Sequence, residues 1–347
     1  MSKHTDVNTL GEFGLIDHLT GAFQTHQQTS TFLGVGDDAA LIERDDKHYT
    51  VISTDMMVEG IHFDLMYSPL KHLGYKAVVT NLSDIYAMNA KPEQITVSIA
   101  ISSKYSVEAL DELYEGIKTA CNLYGVDLIG GDTTSSPKGM AISVTAIGVV
   151  EKGKEALRSG AQIDDIVCVT GDLGAAYLGL QLLEREKQLY LSQPETQPEL
   201  EEATYLIERQ LKPEANKAAY EYFEKTQLVP TSMIDVSDGL ASELFHIAKS
   251  SKVGIIIEES KVPLHPDTEE MALKFNIDPI TCALNGGEDY ELLFTVTPKD
   301  LEKVRYMPDV FIIGDIVEPA NGVKLFSSGG KLHPMKAQGW NHFEEGK

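Results

Sequence analysis

Apolar residues recur at helical spacing over residues 10–23, where Phe13, Ile16, Leu19 and Phe23 predict one face of a helix. Residues 49–54 read instead as a strand that runs straight into Asp55. A long helical pattern covers 71–90, with Val78, Leu82 and Ile85 marking its buried face and Pro92 closing it. Residues 94–101 alternate as a strand, and 107–124 form a second helix ended by Gly125. A strand over 126–129 leads into Gly130-Gly131-Asp132, and 140–150 make another. Strands alternating with helices predict an α/β or α+β layer structure for this half.

Residues 151–165 are polar, charged and glycine-containing, so the chain is expected to divide into domains 1–150 and 151–347 there. The strand 166–170 follows, then Gly171-Asp172-Leu173-Gly174 opens a helix to about residue 183. The Pro/Glu-rich stretch 193–202 reads as a surface loop before a helix. Strands over 232–234, 253–257, 291–296 and 310–313 and a helix over 240–248 complete an α+β pattern. No fixed-period repeat is present; Gly-Asp pairs recur at irregular intervals.

Composition narrows the function. The 347 residues are 42% hydrophobic and 24% charged, ordinary for a globular protein and long enough for two cores. The formal net charge of −24, from 29 Lys+Arg against 53 Asp+Glu, argues against nucleic acid or an anionic membrane as partner, since both repel it. Cys121, Cys168 and Cys282 lie far apart without C-x-x-C spacing, which suggests neither zinc nor disulfides and fits a reducing cytoplasm. The polar start of the sequence has no signal-peptide character, and the apolar stretch 140–150 is too short to span a bilayer. A cytoplasmic location is expected.

The candidate chemistry is acidic. Gly36-Asp37-Asp38, Ser53-Thr54-Asp55, Gly130-Gly131-Asp132 and Asp235-Val236-Ser237-Asp238-Gly239 each set carboxylates beside hydroxyls or glycines, the last three after a predicted strand. Carboxylates delivered at strand ends suit a hard cation such as Mg²⁺. Turns and helix caps explain Gly-Asp pairs equally well, and that reading is preferred for Asp172 and Asp315, with Asp172 capping the helix that follows it. For Asp38, Asp55, Asp132, Asp235 and Asp238 the neighbouring Ser53, Thr54, Thr133, Thr134 and Ser237 add oxygen donors that a turn does not need. Asp84 stands beside the apolar stripe of its helix, either solvated at the stripe's edge or turned inward to complete a cage. Two carboxylates ~4 Å apart repel by about 4 kcal/mol at an effective dielectric near 20, so converging aspartates need divalent cations. Those cations would serve phosphoryl transfer, which is mostly positioning and charge neutralisation. No G-x-x-x-x-G-K-[ST] or kinase G-x-G-x-x-G with a strand lysine is present. Residues 285–292, Asn-Gly-Gly-Glu-Asp-Tyr-Glu-Leu, form a second acidic cluster, either a bulged turn or a place where Glu288 recognises a donor-rich or cationic substrate.

Gly11-Glu12-Phe13, Gly36-Asp37-Asp38-Ala39-Ala40, Ser53-Thr54-Asp55, Asn81-Leu82-Ser83-Asp84, 128–134, 234–240 and 286–292 occur here in order. That set resembles the thiamine-monophosphate kinase family, of the superfamily that includes aminoimidazole ribonucleotide synthetase. The resemblance covers almost the whole chain. It implies direct in-line transfer from ATP to thiamine monophosphate, assisted by several Mg²⁺ ions. Position by position, it implies that Asp38, Ser53, Thr54, Asp55, Asp84, Asp132, Asp235 and Asp238 are metal ligands, with Asp55, Asp132 and Asp238 at the catalytic centre. Gly131, Asp132, Arg158 and Ser237, with Tyr114 beside them, would contact ATP. His62, Glu288 and Trp340 would hold the thiamine phosphate, although Trp340 is equally suited to anchoring the tail, His62 to a surface turn and Arg158 to the linker surface. The implied fold is an N-terminal α/β domain whose mixed sheet pairs with that of a second copy, closing a β-barrel in a homodimer, and a C-terminal α+β domain that completes the active site.

The rivals are distinguishable. A selenophosphate synthetase needs a reactive cysteine or selenocysteine early in the chain, and none precedes Cys121. Aminoimidazole ribonucleotide synthetase is disfavoured by the kinase-like 286–292. A non-catalytic acidic Ca²⁺-binding protein is disfavoured by the lack of a D-x-[DN]-x-[DN]-G-x₅-E loop.

Overall fold

The computed structural model describes residues 10–23, 26–195, 197–198 and 200–336. Strands β1 (Thr31–Leu33), β2 (Ala40–Glu43), β3 (His48–Val58), β4 (Lys91–Ile101), β5 (Asp127–Ser135) and β6 (Met140–Glu151) form one mixed sheet, ordered β1-β2-β3-β6-β4-β5. Helices α1 (Gly11–Thr20), α2 (Leu70–Ala87) and α3 (Val107–Tyr124) belong to the same half. The period-2 alternation along β6 buries Met140, Ile142, Val144 and Ala146 in one cluster with Val78, Leu82 and Ile85 of α2. The predicted buried face of that helix is therefore the observed one. Beyond β4, the edge strand β5 is exposed at every residue, including Leu128 and Ile129.

The second half carries β7 (Ile166–Thr170), β8 (Ser232–Asp235), β9 (Gly254–Glu258), β10 (Leu292–Val296), β11 (Val310–Val317), β12 (Val323–Phe326) and β13 (Leu332–Pro334), ordered β13-β12-β9-β11-β7-β10-β8. Its helices are α4 (Ala175–Ser192), α5 (Thr204–Leu211), α6 (Lys217–Thr226), α7 (Leu240–Ser251), α8 (Pro266–Lys274), α9 (Pro279–Asn285) and α10 (Leu301–Arg305). All of β10 is buried: Leu293 joins one apolar cluster with Val167 and Val169, whereas Leu292, Phe294 and Val296 join another with Cys168. A strand covered on both faces reads as a continuous apolar run. The three cysteines are buried free thiols. The result is two α/β domains with mixed sheets, and no helix among the described residues is long and apolar enough to cross a membrane.

Several expectations are corrected. The helix expected over 71–90 stops at Ala87, because Asn89 turns the chain with φ +54°, and Pro92 lies in β4 at a register shift rather than closing the helix. Asp55 and Asp132 lie inside β3 and β5, not at strand ends, since both strands run on for three residues. Asp172 does not cap α4; the amides of Gly174 and Ala176 donate to Asp289 instead, at 2.7 and 3.4 Å, while Asp172 accepts from the Tyr205 hydroxyl at 2.5 Å. Asp315 lies within β11 rather than in a turn after it. The apolar stripe expected of the first helix, Ile16, Leu19 and Phe23, is exposed; the side chain of Phe13 lies outside the described residues.

The two domains meet along α2. Ser83 Oγ donates to Asp235 Oδ2 at 2.6 Å, Lys76 Nζ donates to the Gln210 carbonyl at 2.8 Å, and Ala87 packs in the cluster of Met233 and Phe294. Glu214 accepts from the hydroxyls of Tyr75 and Tyr124.

Candidate functional site

Three elements of distant sequence deliver carboxylates to one place. Asp38 comes from the loop before β2, Asp84 from the side of α2 and Asp235 from the last position of β8. One carboxylate oxygen from each lies within 4.8 Å of the others. The inward reading of Asp84 is thus the observed one: Ser53 Oγ donates to its Oδ2 at 2.5 Å, and Ser83 beside it holds Asp235. Asp55, two residues along β3 from Ser53 and so on the same face, stands at the open rim, its amide donating to Asn81 Oδ1 at 3.0 Å.

The electrostatics are those of buried carboxylates that repel one another. Burial first, then Asp55, Asp235 and Asp38, pushes the Asp84 carboxyl well above the usual carboxylate range. Burial and Asp38 raise Asp235 to about 7, and burial with Asp38 raises Asp37 to about 7. Asp55 is raised by desolvation and by Asp38. Arg158 answers part of this charge: its Nε donates to Asp38 Oδ1 at 2.9 Å, and its backbone amide donates to both oxygens of Asp37 at 3.2 Å. Among the described residues, Asp38 Oδ2 is buried with no hydrogen-bond partner. An orphaned anionic oxygen beside two further carboxylates is the donor set a hard divalent cation requires.

The turn 235–239 and the cluster 285–292, read separately in the sequence, are one structural unit. The amides of Glu288 and Tyr290 donate to the Ser237 and Val236 carbonyls at 2.7 and 2.9 Å, and the Val236 amide donates to the Glu291 carbonyl at 2.7 Å. Gly287 is required by this closeness, since a Cβ there would fall 2.4 Å from the Ser237 carbonyl oxygen. Glu288 and Tyr290 both take positive φ, +68° and +53°. The Asp238 amide donates to Glu243 Oε1 at 3.0 Å, so the buried Glu243 of α7 holds the Asp238 end of the turn.

Other expected residues fall further away. Thr54 turns to the opposite face from Ser53 and donates to the Val144 carbonyl at 3.1 Å. Asp132 is exposed on β5; across the register Asp55–Val144–Val97–Gly131 three strand spacings, about 14 Å, separate β3 from β5. Gly131 serves packing in the first place, because a Cβ there would lie 1.8 Å from the Val97 carbonyl oxygen. His62 accepts the Val58 amide on Nδ1 at 3.0 Å and lines a small cavity of about 10 Å³ with Lys76 and Gln210. Those two residues contact Glu288, which joins the expected substrate residues His62 and Glu288 in one region. Trp340 lies outside the described residues.

Sequence reasoning missed Ser83, Glu243, Lys76, Gln210 and Arg209. Only Lys76 left a signal, as a charge on a helix whose neighbours are apolar. Arg209 of α5 donates to Glu291 Oε1 at 3.0 Å and to the Asp289 carbonyl at 3.2 Å, fastening the far side of the 286–291 turn.

Residues 36–150 match the family model described as AIR synthase related protein, N-terminal domain. The thiamine-monophosphate kinase of Bacillus subtilis is 36% identical over 344 residues, which span 96% of this chain and all of that protein. The enzyme of the same name from Aquifex aeolicus is 35% identical over 96% of this chain and 98% of its own length. A solved structure described as AaThiL complexed with AMPPCP and TMP superposes with a TM-score of 0.83 at 32% identity, covering 99% of this chain and 100% of that one.

Proposed function

The chain belongs to the thiamine-monophosphate kinase family, and from that premise we propose that it phosphorylates thiamine monophosphate with ATP. A phosphate oxygen of thiamine monophosphate bonds to the γ-phosphorus in line with the breaking bond to the β–γ bridging oxygen, and ADP leaves. The observation that carries this reading is the convergence of Asp38, Asp84 and Asp235, with Asp38 Oδ2 unpartnered among the described residues, in a chain related to these kinases over 96% of its length.

Asp38, Asp55, Asp84 and Asp235 would hold Mg²⁺, with Ser53 and Asp238 beside them, and bound Mg²⁺ supplies the charge neutralisation that gathers phosphate groups among carboxylates. The chain's own residues orient these ligands: Ser53 and Asn81 fix the β3 side, Ser83 fixes Asp235, and Glu243 fixes the Asp238 turn. Arg158, already paired with Asp38, is assigned to a nucleotide phosphate, and Ser237 and, from the β5 edge, Gly131 and Asp132 are assigned to contacts with ATP, Asp132 through Mg²⁺. His62 and Glu288 are assigned to thiamine monophosphate. The boundary between the two domains is placed in the connection after β6, and the location in the cytoplasm. The fully exposed β5 supports pairing with a second copy, closing a barrel across a homodimer.

The test is turnover of purified protein with Mg²⁺-ATP and thiamine monophosphate, followed by separation of the thiamine compounds. Thiamine diphosphate and ADP in equal amounts are expected. ATP consumption with an aminoimidazole precursor and none with thiamine monophosphate would overturn the assignment.

A further inference from the structure

Lys76 is an anomaly of the apolar packing: a lysine on α2 with only 4% of its surface exposed. Burying an ammonium is costly unless it is paired and hydrogen-bonded. Here it is both, and with the opposite domain. Its Nζ lies 3.0 Å from Glu288 Oε2 and donates to the Gln210 carbonyl at 2.8 Å, while Gln210 Nε2 donates to the same Glu288 oxygen at 2.6 Å. Among the described residues both contacts fall on Oε2, which leaves Oε1 for a further donor. The Glu288 backbone is fixed independently, by its φ of +68° and by its amide bond to Ser237. The carboxylate is therefore held by two side chains, Lys76 and Gln210, that line a small cavity together with His62.

We propose that Lys76 is a specificity-determining positioning residue. It neutralises and orients Glu288, so that Glu288 accepts a hydrogen bond from a neutral donor on the acceptor substrate instead of attracting its positive charge. This rests on the assignment of Glu288 to the thiamine monophosphate site and sharpens it. A free carboxylate would be attracted to the cationic thiazolium ring, but one already paired with an ammonium has little net field to offer. What it keeps is directional acceptance through Oε1. The matching group on thiamine monophosphate is the amino group of its pyrimidine ring. Sites built to hydrogen-bond a particular group reject analogues lacking it far more strongly than apolar pockets reject a missing methylene.

The experiment compares thiamine monophosphate with the analogue carrying oxygen in place of that amino group, using wild type, Lys76→Met, Lys76→Arg and Glu288→Gln. Wild type is expected to prefer the amino compound by about 100-fold or more in kcat/KM. Lys76→Met raises KM for thiamine monophosphate by about tenfold and narrows the preference, leaving KM for ATP unchanged, and Lys76→Arg restores most of both. A general loss of folding would move the ATP constant as well. Equal use of the two acceptors by wild type overturns the proposal without any variant, as does a Lys76→Met protein with unaltered preference. A Glu288→Gln protein indistinguishable from wild type overturns instead the placement of Glu288 in the substrate site.

Discussion

Ser83 and Asp235, 152 positions apart, are joined by a hydrogen bond of 2.6 Å from Oγ to Oδ2. The bond ties the middle of α2 in one domain to the end of β8 in the other, beside Asp84, which Ser53 holds from β3. The acidic cluster is thus assembled across the domain junction, and its geometry depends on how the domains are seated.

Replacing Asp84 by Asn removes one of the mutually repelling carboxylates while keeping a similar shape. Turnover is expected to fall by about 1,000-fold or more, as for loss of a group that organises charge in phosphoryl transfer. The metal-free variant is expected to melt higher than metal-free wild type, by about 2 °C or more. Calorimetry and steady-state assays measure the two effects separately, and a variant both inactive and less stable would contradict the role given to Asp84.

Stability should couple pH to metal. Asp37 and Asp235 carry pKa values raised to about 7 from an ordinary value of 3.8, and Asp55 and Asp84 are raised as well. A carboxyl raised on folding adds stability below its unfolded pKa and loses that contribution as pH rises through its folded pKa. Chelated protein therefore loses this contribution between about pH 4 and 7. His246 works in the opposite sense, because burial and Arg158 lower it to about 4. The Mg²⁺-induced rise in Tm isolates the cluster, and it is expected to be larger at pH 8 than at pH 5.5. An equal rise at both would contradict the coupling.

Gly131→Ala places a methyl 1.8 Å from the Val97 carbonyl oxygen, so β5 must shift away from β4. A loss of about 1–3 kcal/mol is expected by denaturant titration. Unaltered stability with lost ATP affinity would move the importance of this glycine from packing to ligand approach.

The β5 edge presents Ile129 and Leu128 to solvent in a single copy. Ile129→Lys is expected to convert a dimer into a monomer in analytical ultracentrifugation, because edge lysines oppose strand pairing. A wild-type protein that sediments as a monomer would contradict the proposed barrel.

Much of this was readable in the sequence, for identifiable reasons. The stripe of Val78, Leu82 and Ile85 predicts the buried face of α2, and the alternation of 140–150 predicts β6, because burial on one side imposes a period. Asp84 beside that stripe signalled an inward carboxylate. The short helices α6, α8, α9 and α10 were not legible, since segments of five to ten residues carry too few turns to establish a period. The strand-end argument failed for Asp55 and Asp132 because β3 and β5 continue through their polar segments, where pairing with β6 and β4 outweighs local composition. Gln210 and Arg209 act through contacts with residues remote in the chain, which no local pattern announces, and the charge of Lys76 among apolar neighbours marks an anomaly without naming its partner.

The central claim is that one pocket, built from both domains, holds divalent cations which in turn hold the nucleotide. Anomalous scattering from crystals grown with Mn²⁺ and a non-hydrolysable ATP analogue tests it most directly. Peaks are expected within about 2.5 Å of carboxylate oxygens of Asp38, Asp84 and Asp235, and in contact with the analogue's phosphates. Bound nucleotide with no peak at these carboxylates, or peaks confined to other surfaces, would contradict it.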